Sequence, residues 1–295
     1  MKALFVFALA ALVSFSAGAQ ESAGTFTTTS NEESFRRWQM WLSSENYTYG
    51  IDQRDLGSKA PVVSVNSIGL IYNFNPHWAV ELRQYVEYAS NRENLSGRDL
   101  LMHQNATEMG PIVLRLAAKP TWGVFGSKPA LWELRYYAPT DRVSKENKEL
   151  GLLRAEFWAE WMLSPRWSVA LWLTPRVRLN SADNPNSAKG SDAEYYEMKG
   201  APYVNYYFND ELYAYYGYIL DQVASEAQRG NWTPDDTNWG SHEVGIYWTI
   251  GAVTVNPALI SDTNLANAEG SIFTPQSRAF ATETLSYNLN LFATF

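Results

Sequence analysis

The sequence predicts an all-β protein: a transmembrane, antiparallel up-and-down β-barrel of about twelve strands. Three observations predict it. Segments of eight or more residues alternate apolar and polar side chains, the period-two signature of a strand with one greasy and one wet face. Short turns and long polar loops join these segments in alternation, the rhythm of a chain threaded up and down through a membrane. The chain is also 15% aromatic, with 12 Trp and 18 Tyr. Both residue types suit a membrane–water interface, where the ring meets apolar surface and the polar atom meets water.

The chain begins with Lys2 and an apolar run from Ala3 to Phe15, then the small-x-small pattern Ala17-Gly18-Ala19 before Gln20. Residues 1–19 read as an export signal peptide, too short to cross a bilayer as a helix. Residues 20–34 are expected to form a polar periplasmic leader, and 35–295 the barrel. No second apolar run approaches ~18 residues, so no helical membrane span is expected. No Pro/Gly/Ser-rich linker divides the remainder, which points to one domain. The chain has no cysteine, which removes disulfides, thiol chemistry and cysteine-based metal sites. Its net charge of −8 argues against nucleic acid as a partner.

Strands are expected at 36–50, 62–73, 78–89, 111–118, 130–140, 151–163, 167–180, 195–208, 212–223, 241–250, 253–260 and 278–295. Five turns join them on one side, at 74–78, 119–129, 164–167, 208–212 and 250–252, where Asn, Pro, Asp and Gly bend the chain. Six longer loops, at 52–60, 90–109, 141–150, 181–193, 227–240 and 262–277, are rich in Asn, Asp, Ser, Gly and Glu. Both ends of the barrel then fall on the short-turn side, the arrangement of short periplasmic turns and long external loops. Phe74, Trp78, Trp167 and Phe208 flank the turns and are candidates for an aromatic girdle. Segments 62–73 and 212–223 alternate poorly, which suggests bulges there. Pro139, Pro175, Pro202 and Pro257 fall inside strands, and bulges or strand ends near the rim are expected to accommodate their missing N–H groups.

In the final segment Leu285, Tyr287, Leu289, Leu291, Ala293 and Phe295 alternate with polar residues, Phe292 being the exception. A strand that alternates to its last residue and closes on an aromatic resembles the C-terminal strand recognised by the outer-membrane assembly machinery of bacteria. That resemblance implies a Gram-negative outer membrane, with membrane lipid, lipopolysaccharide and the assembly machinery as partners. It assigns the assembly signal to Tyr287, Leu289, Leu291 and Phe295.

Charges fall on one face of nearly every strand. In 167–180 one face carries Val169, Leu171, Leu173, Val177 and Leu179, and the other Trp172, Thr174, Arg176 and Arg178. A lipid-facing charge near the midplane costs ~2–4 kcal/mol, so the charged faces are assigned to the interior. This places Arg37, Arg83, Arg115, Arg135, Arg154, Arg176, Arg178 and Lys199 inside. It also places Glu45, Glu81, Glu87, Glu133, Glu156, Glu160, Glu197 and Glu243 inside. Candidate pore-lining residues are Glu81, Arg83, Arg115, Glu133, Arg135, Arg154, Glu156, Glu160, Arg176 and Arg178, with opposite charges expected to pair between neighbouring strands. An ionic lining of this kind either guides a polar solute through a water-filled constriction or forms a salt-bridge network that fills the bore.

Across 167–180 (W-S-V-A-L-W-L-T-P-R-V-R-L-N), in its hairpin rhythm and in its terminal aromatic, the chain resembles small twelve-stranded oligogalacturonate-specific porins. In that family inward arginines line a path for acidic oligosaccharides. The resemblance implies a porin passing small hydrophilic solutes, with Arg176 and Arg178 as pore-lining cations and Arg154 opposite them. The interleaved glutamates depart from a purely basic track.

Barrels of this size also include hydrolases, which need a positioned histidine. Of the three histidines, His77 is expected in a periplasmic turn, His103 in an external loop and His242 at a rim beside Ser241. Neighbouring residues of a strand point to opposite faces, so Ser241 and His242 cannot readily pair. No catalytic residue is assigned. Asp235 and Asp236 fall far short of a calcium ligand set, so neither metal nor cofactor is expected. A non-conducting structural or adhesive barrel and a hydrolase stand as alternatives to the porin.

Overall fold

The computed structural model describes residues 36–48, 62–89, 106–181, 194–225, 238–264 and 285–295. The signal peptide, the polar leader, His103, Asp235 and Asp236 lie outside the described residues. Twelve strands close into one antiparallel barrel in which sequence neighbours pair and the first strand pairs with the last. They are β1 Trp38–Thr48, β2 Val62–Asn75, β3 Trp78–Ala89, β4 Ala106–Ala118, β5 Leu131–Ala138 and β6 Glu149–Met162. The chain continues through β7 Trp167–Asn180, β8 Glu194–Tyr207, β9 Leu212–Ser225, β10 Asn238–Ile250, β11 Val253–Asn264 and β12 Leu285–Thr294. Closure is made where the termini meet. Met40 N donates to the Phe295 carbonyl at 3.0 Å, and Phe295 N donates to the Met40 carbonyl at 2.9 Å.

Alternation sorts the side chains. Leu70, Leu82, Leu114 and Leu134 point outward and are each half exposed, at 51%, 57%, 50% and 51%. Their inward neighbours Ile71, Arg83, Arg115 and Arg135 are buried. A closed belt of exposed leucine, valine and isoleucine is far larger than the apolar patches water-soluble monomers tolerate. Around a charged interior it identifies a transmembrane β-barrel. Phe74, Trp78, Trp167 and Phe208 are half exposed at the turn end, where Trp167 and Phe208 both contact Tyr206 and Phe74 contacts Tyr72.

Three strand prolines correct the expectation of bulges. Only Pro139 lies at a strand end, just after β5. Pro175 lies within β7 with no register shift, between the pairs Arg154↔Arg176 and Phe157↔Leu173. Its missing N–H would orphan the Ala155 carbonyl, but the Thr174 hydroxyl donates to that oxygen at 3.1 Å. Pro257 repeats the device: Asn256 Nδ2 donates to the Ile246 carbonyl at 3.0 Å. Pro202 pairs with Leu171 in an unshifted ladder. At Pro175 and Pro257 the residue before the proline thus supplies the donor that the ring removes. Thr174→Val or Asn256→Leu should therefore destabilise the barrel by about 1–3 kcal/mol each, the cost of a buried unsatisfied carbonyl. Urea unfolding in lipid vesicles measures this, and an unchanged midpoint would show the carbonyls to be satisfied otherwise.

The expected bulges in 62–73 and 212–223 also need correction. β2 shifts register only at Asn73/Asn75, beside the turn, and β9 carries its irregularity opposite Glu194/Tyr196 of β8. β9 alternates poorly because its inner face is itself aromatic and apolar, with Tyr215 and Ile219 buried. The loop after β5 holds a short helix, α1 Arg142–Glu146, capped by Asp141, whose carboxylate accepts from Ser144 N at 2.9 Å.

Candidate functional site

The inward faces of β3 to β6 carry a continuous ionic ladder. Arg83 Nε meets Glu81 Oε1 at 2.7 Å, and Glu81 Oε2 accepts from Arg115 at 2.7 Å. Arg115 reaches on to Glu133, and Arg135 meets Glu133 at 2.7 Å and Glu156 at 3.3 Å. Glu156 accepts from Arg154 at 2.9 Å. Four arginines and three glutamates are involved, none more than 5% exposed. Opposite charges pair between neighbouring strands as expected, but within the ladder only Glu81 and Arg115 do so as register partners. Elsewhere like faces like: Arg115↔Arg135, Arg135↔Arg154, Arg154↔Arg176 and Glu133↔Glu156. Like charges directly opposite repel. The carboxylates relieve this by bridging two guanidinium groups each, one along the same strand and one on a neighbouring strand, a geometry suited to arginine. The Arg83 guanidinium also lies 3.9 Å above the Trp41 ring.

The wall formed by β7 to β12 is different. Trp172, Tyr203, Tyr215, Tyr247 and Phe292 pack with Ala170, Ala201, Ile219 and Ala258. A Cβ on Gly217 would lie 2.3 Å from Tyr203 Cε1, and one on Gly245 2.4 Å from the Tyr215 hydroxyl, so two glycines make room for two rings. Tyr215 donates to Glu243 at 2.7 Å, Asn256 to Tyr215 at 3.1 Å and Asn290 to Asn256 at 2.9 Å. Phe292, the exception to C-terminal alternation, joins this cluster and stacks on Trp41 at 6.3 Å. Ladder and cluster together pack the waist of the barrel.

On the loop side of the waist lies a cavity of about 220 Å³. Arg154, Arg176 and Arg178 line it, as do Glu45, Glu87, Tyr85 and Tyr137. Arg176 pairs with Glu197 and Arg178 with Glu149, each at 2.9 Å. Ser144 of α1 donates to Glu149 at 3.0 Å, which fastens the helix at the mouth.

The sequence-predicted residues divide accordingly. Glu81, Arg83, Arg115, Glu133, Arg135, Arg154 and Glu156 come together in the waist, and Arg176 and Arg178 line the vestibule. Arg154 is the register partner of Arg176, directly opposite it on the neighbouring strand, and is 2% exposed. Glu160 sits apart, toward the turns, where it accepts from Lys128 at 2.9 Å and from Ser168 and Tyr207. Arg37 does not enter the interior; it precedes β1 and is exposed. Tyr287 and Phe295 point outward and are half exposed, with Leu289 and Leu291 on the same face. Sequence reasoning missed the tyrosine cluster, because rings on an inner face erase the polar–apolar contrast. Near the turns, burial and the neighbouring Arg115 pull the Lys119 ammonium down to about 8. His77 Nδ1 donates to the Lys119 carbonyl at 3.1 Å, and His242 Nδ1 shares a hydrogen bond of 2.8 Å with the Tyr216 hydroxyl. Ser261, the register partner of His242, is fully covered. Among the described residues no helix is long and apolar enough to cross a membrane, and no group of three or more His, Asp or Glu stands ready for a metal ion.

No family model matches the chain, and no curated protein matches it in sequence. Solved structures do match its fold. An outer-membrane channel of Pseudomonas putida F1 is similar with a TM-score of 0.54 and 13% identity, covering 88% of this chain and 95% of that one. The NanC porin has a TM-score of 0.47 and 7% identity, covering 85% and 98%. The KdgM porin, solved with disordered oligogalacturonate, has 0.44 and 8%, covering 88% and 99%. The outer-membrane phospholipase A of Escherichia coli is among the weaker likenesses, with a TM-score of 0.39 and 14% identity. The fold is that of the outer-membrane β-barrels.

Proposed function

We propose that this protein is a narrow outer-membrane channel through which small hydrophilic solutes, carboxylates included, diffuse. Membrane lipid and lipopolysaccharide surround it. The cavity above the waist is the entrance, Arg176 and Arg178 its cations, and the Arg/Glu ladder the constriction beneath. The observation that carries this reading is the solvent-reachable cavity on the loop side, where Arg176 and Arg178 are 22% and 16% exposed. Charges that line a constriction act on a passing ion through its lost hydration.

Burial of the ladder supports a second reading, a non-conducting barrel whose interior is salt-bridged shut. Planar-bilayer recording of the folded protein separates the two. Small discrete current steps are expected for the channel; a silent membrane would leave the structural reading. Exchanging Arg176 and Arg178 for Glu is expected to move ion selectivity toward cations by several-fold. Unaltered reversal potentials would take both residues off the route. A hydrolase needs a reachable nucleophile beside a histidine, and lipid-cleavage and peptide-cleavage assays address that reading directly.

A further inference from the structure

We infer that the external vestibule selects small zwitterions, a free amino acid or a dipeptide. The arginines of β6 and β7 hold the carboxylate and the glutamates of β1 and β3 hold the ammonium group. This deepens the channel reading and rests on it for the route, though not for occupancy of the vestibule.

The charges of the cavity are largely sorted by wall; the one lining carboxylate on the arginine side, Glu149, is tied to Arg178 at 2.9 Å. Glu45 and Glu87 stand on one rung, each the register partner of Val65, so their strands are about 10 Å apart, two inter-strand spacings. Arg154 and Arg176 share a rung on β6 and β7, and Arg178 follows on the same inward face. Between the walls the rings of Tyr85 and Tyr137 stack at 6.5 Å, an aromatic surface of the kind that attracts ammonium groups. The basic wall retains donor capacity. Arg176 gives NH1 to Glu197, but its Nε is buried without an acceptor, and a guanidinium carries five donors.

This separation decides the solute. A simple anion drawn to the arginines meets the field of the two glutamates, and a simple cation meets the reverse. A molecule with both charges is attracted at both ends, which builds discrimination from repulsion as well as attraction. A cavity of about 220 Å³ also falls below the usual ~300–1,000 Å³ of ligand pockets, which suits one small metabolite rather than a chain of sugars.

Calorimetric titration of the folded protein in detergent micelles tests this with three probes: L-alanyl-L-alanine, propionate and propylamine. The dipeptide is expected to bind at least tenfold more tightly than either singly charged probe. Glu87→Gln should bind the dipeptide about tenfold more weakly than the parent, and propionate no more weakly, or more tightly, than the parent. Arg176→Gln should weaken dipeptide and propionate together; Lys199, 2.9 Å from Glu197, still holds the carboxylate that variant leaves behind. Propionate binding as tightly as the dipeptide, indifference to Glu87→Gln, or no dipeptide heat at millimolar concentration would each overturn the assignment. Dipeptide binding without bilayer current would fail the route alone; current without dipeptide binding would fail this inference alone.

Discussion

Replacing Glu133 with alanine is expected to cost the barrel about 3–5 kcal/mol, the loss typical when one partner of a buried ion pair is removed. Glu133 is fully enclosed and holds both Arg115 and Arg135. Its removal leaves two guanidinium groups facing each other across a rung with less opposite charge between them. The double variant Glu133→Met with Arg115→Met is expected to recover most of that loss. It keeps the ladder's excess of one positive charge, and well-packed apolar groups often replace a buried pair without penalty. Urea-induced unfolding in lipid vesicles reads both numbers. A single variant as stable as the parent would mean that water, not protein, surrounds this carboxylate, and the packed waist would be wrong.

The second large effect is expected on the outside. Leu114→Arg places a charge on the lipid face beside Leu82, its register partner, and should cost ~2–4 kcal/mol near the bilayer midplane. The same change at Phe74, in the ring cluster at the turn end, should cost only ~0–1 kcal/mol, because the penalty fades toward the interface. The ratio matters more than either value. Equal penalties at the two positions would argue that neither residue faces lipid at a defined depth.

Much of this architecture was readable in the sequence, and the reasons are local. β3 and β7 have the bounds that alternation predicts, because Leu82 and Arg83, or Leu173 and Thr174, contrast strongly between faces. Inward placement of the ladder followed from parity alone. Its pairing did not, since diagonal contacts such as Arg135 to Glu156 depend on register that sequence spacing leaves open. The aromatic wall was hidden because Tyr215, Tyr247 and Phe292 bury apolar surface against one another within the bore, where a lipid-facing residue would look the same. α1 was hidden for another reason. A five-residue helix has too few turns to show periodicity, and only its Asp141 cap is a local signal. The proline device at Thr174 and Asn256 was visible as sequence and unintelligible without the carbonyls opposite.

The chain's lack of cysteine makes spin-label scanning a direct test of the central claim, a cylinder with lipid outside and charge within. Single cysteines placed along β6, from Leu152 through Trp158, would be labelled in vesicles and probed by dissolved oxygen and by a water-soluble nickel relaxer. The account predicts that Leu153, Ala155 and Phe157 show high oxygen contact, while labels at Leu152, Arg154, Glu156 and Trp158 show little, giving a period of two. Uniform exposure to the nickel reagent, or oxygen contact strongest at 154 and 156, would contradict it.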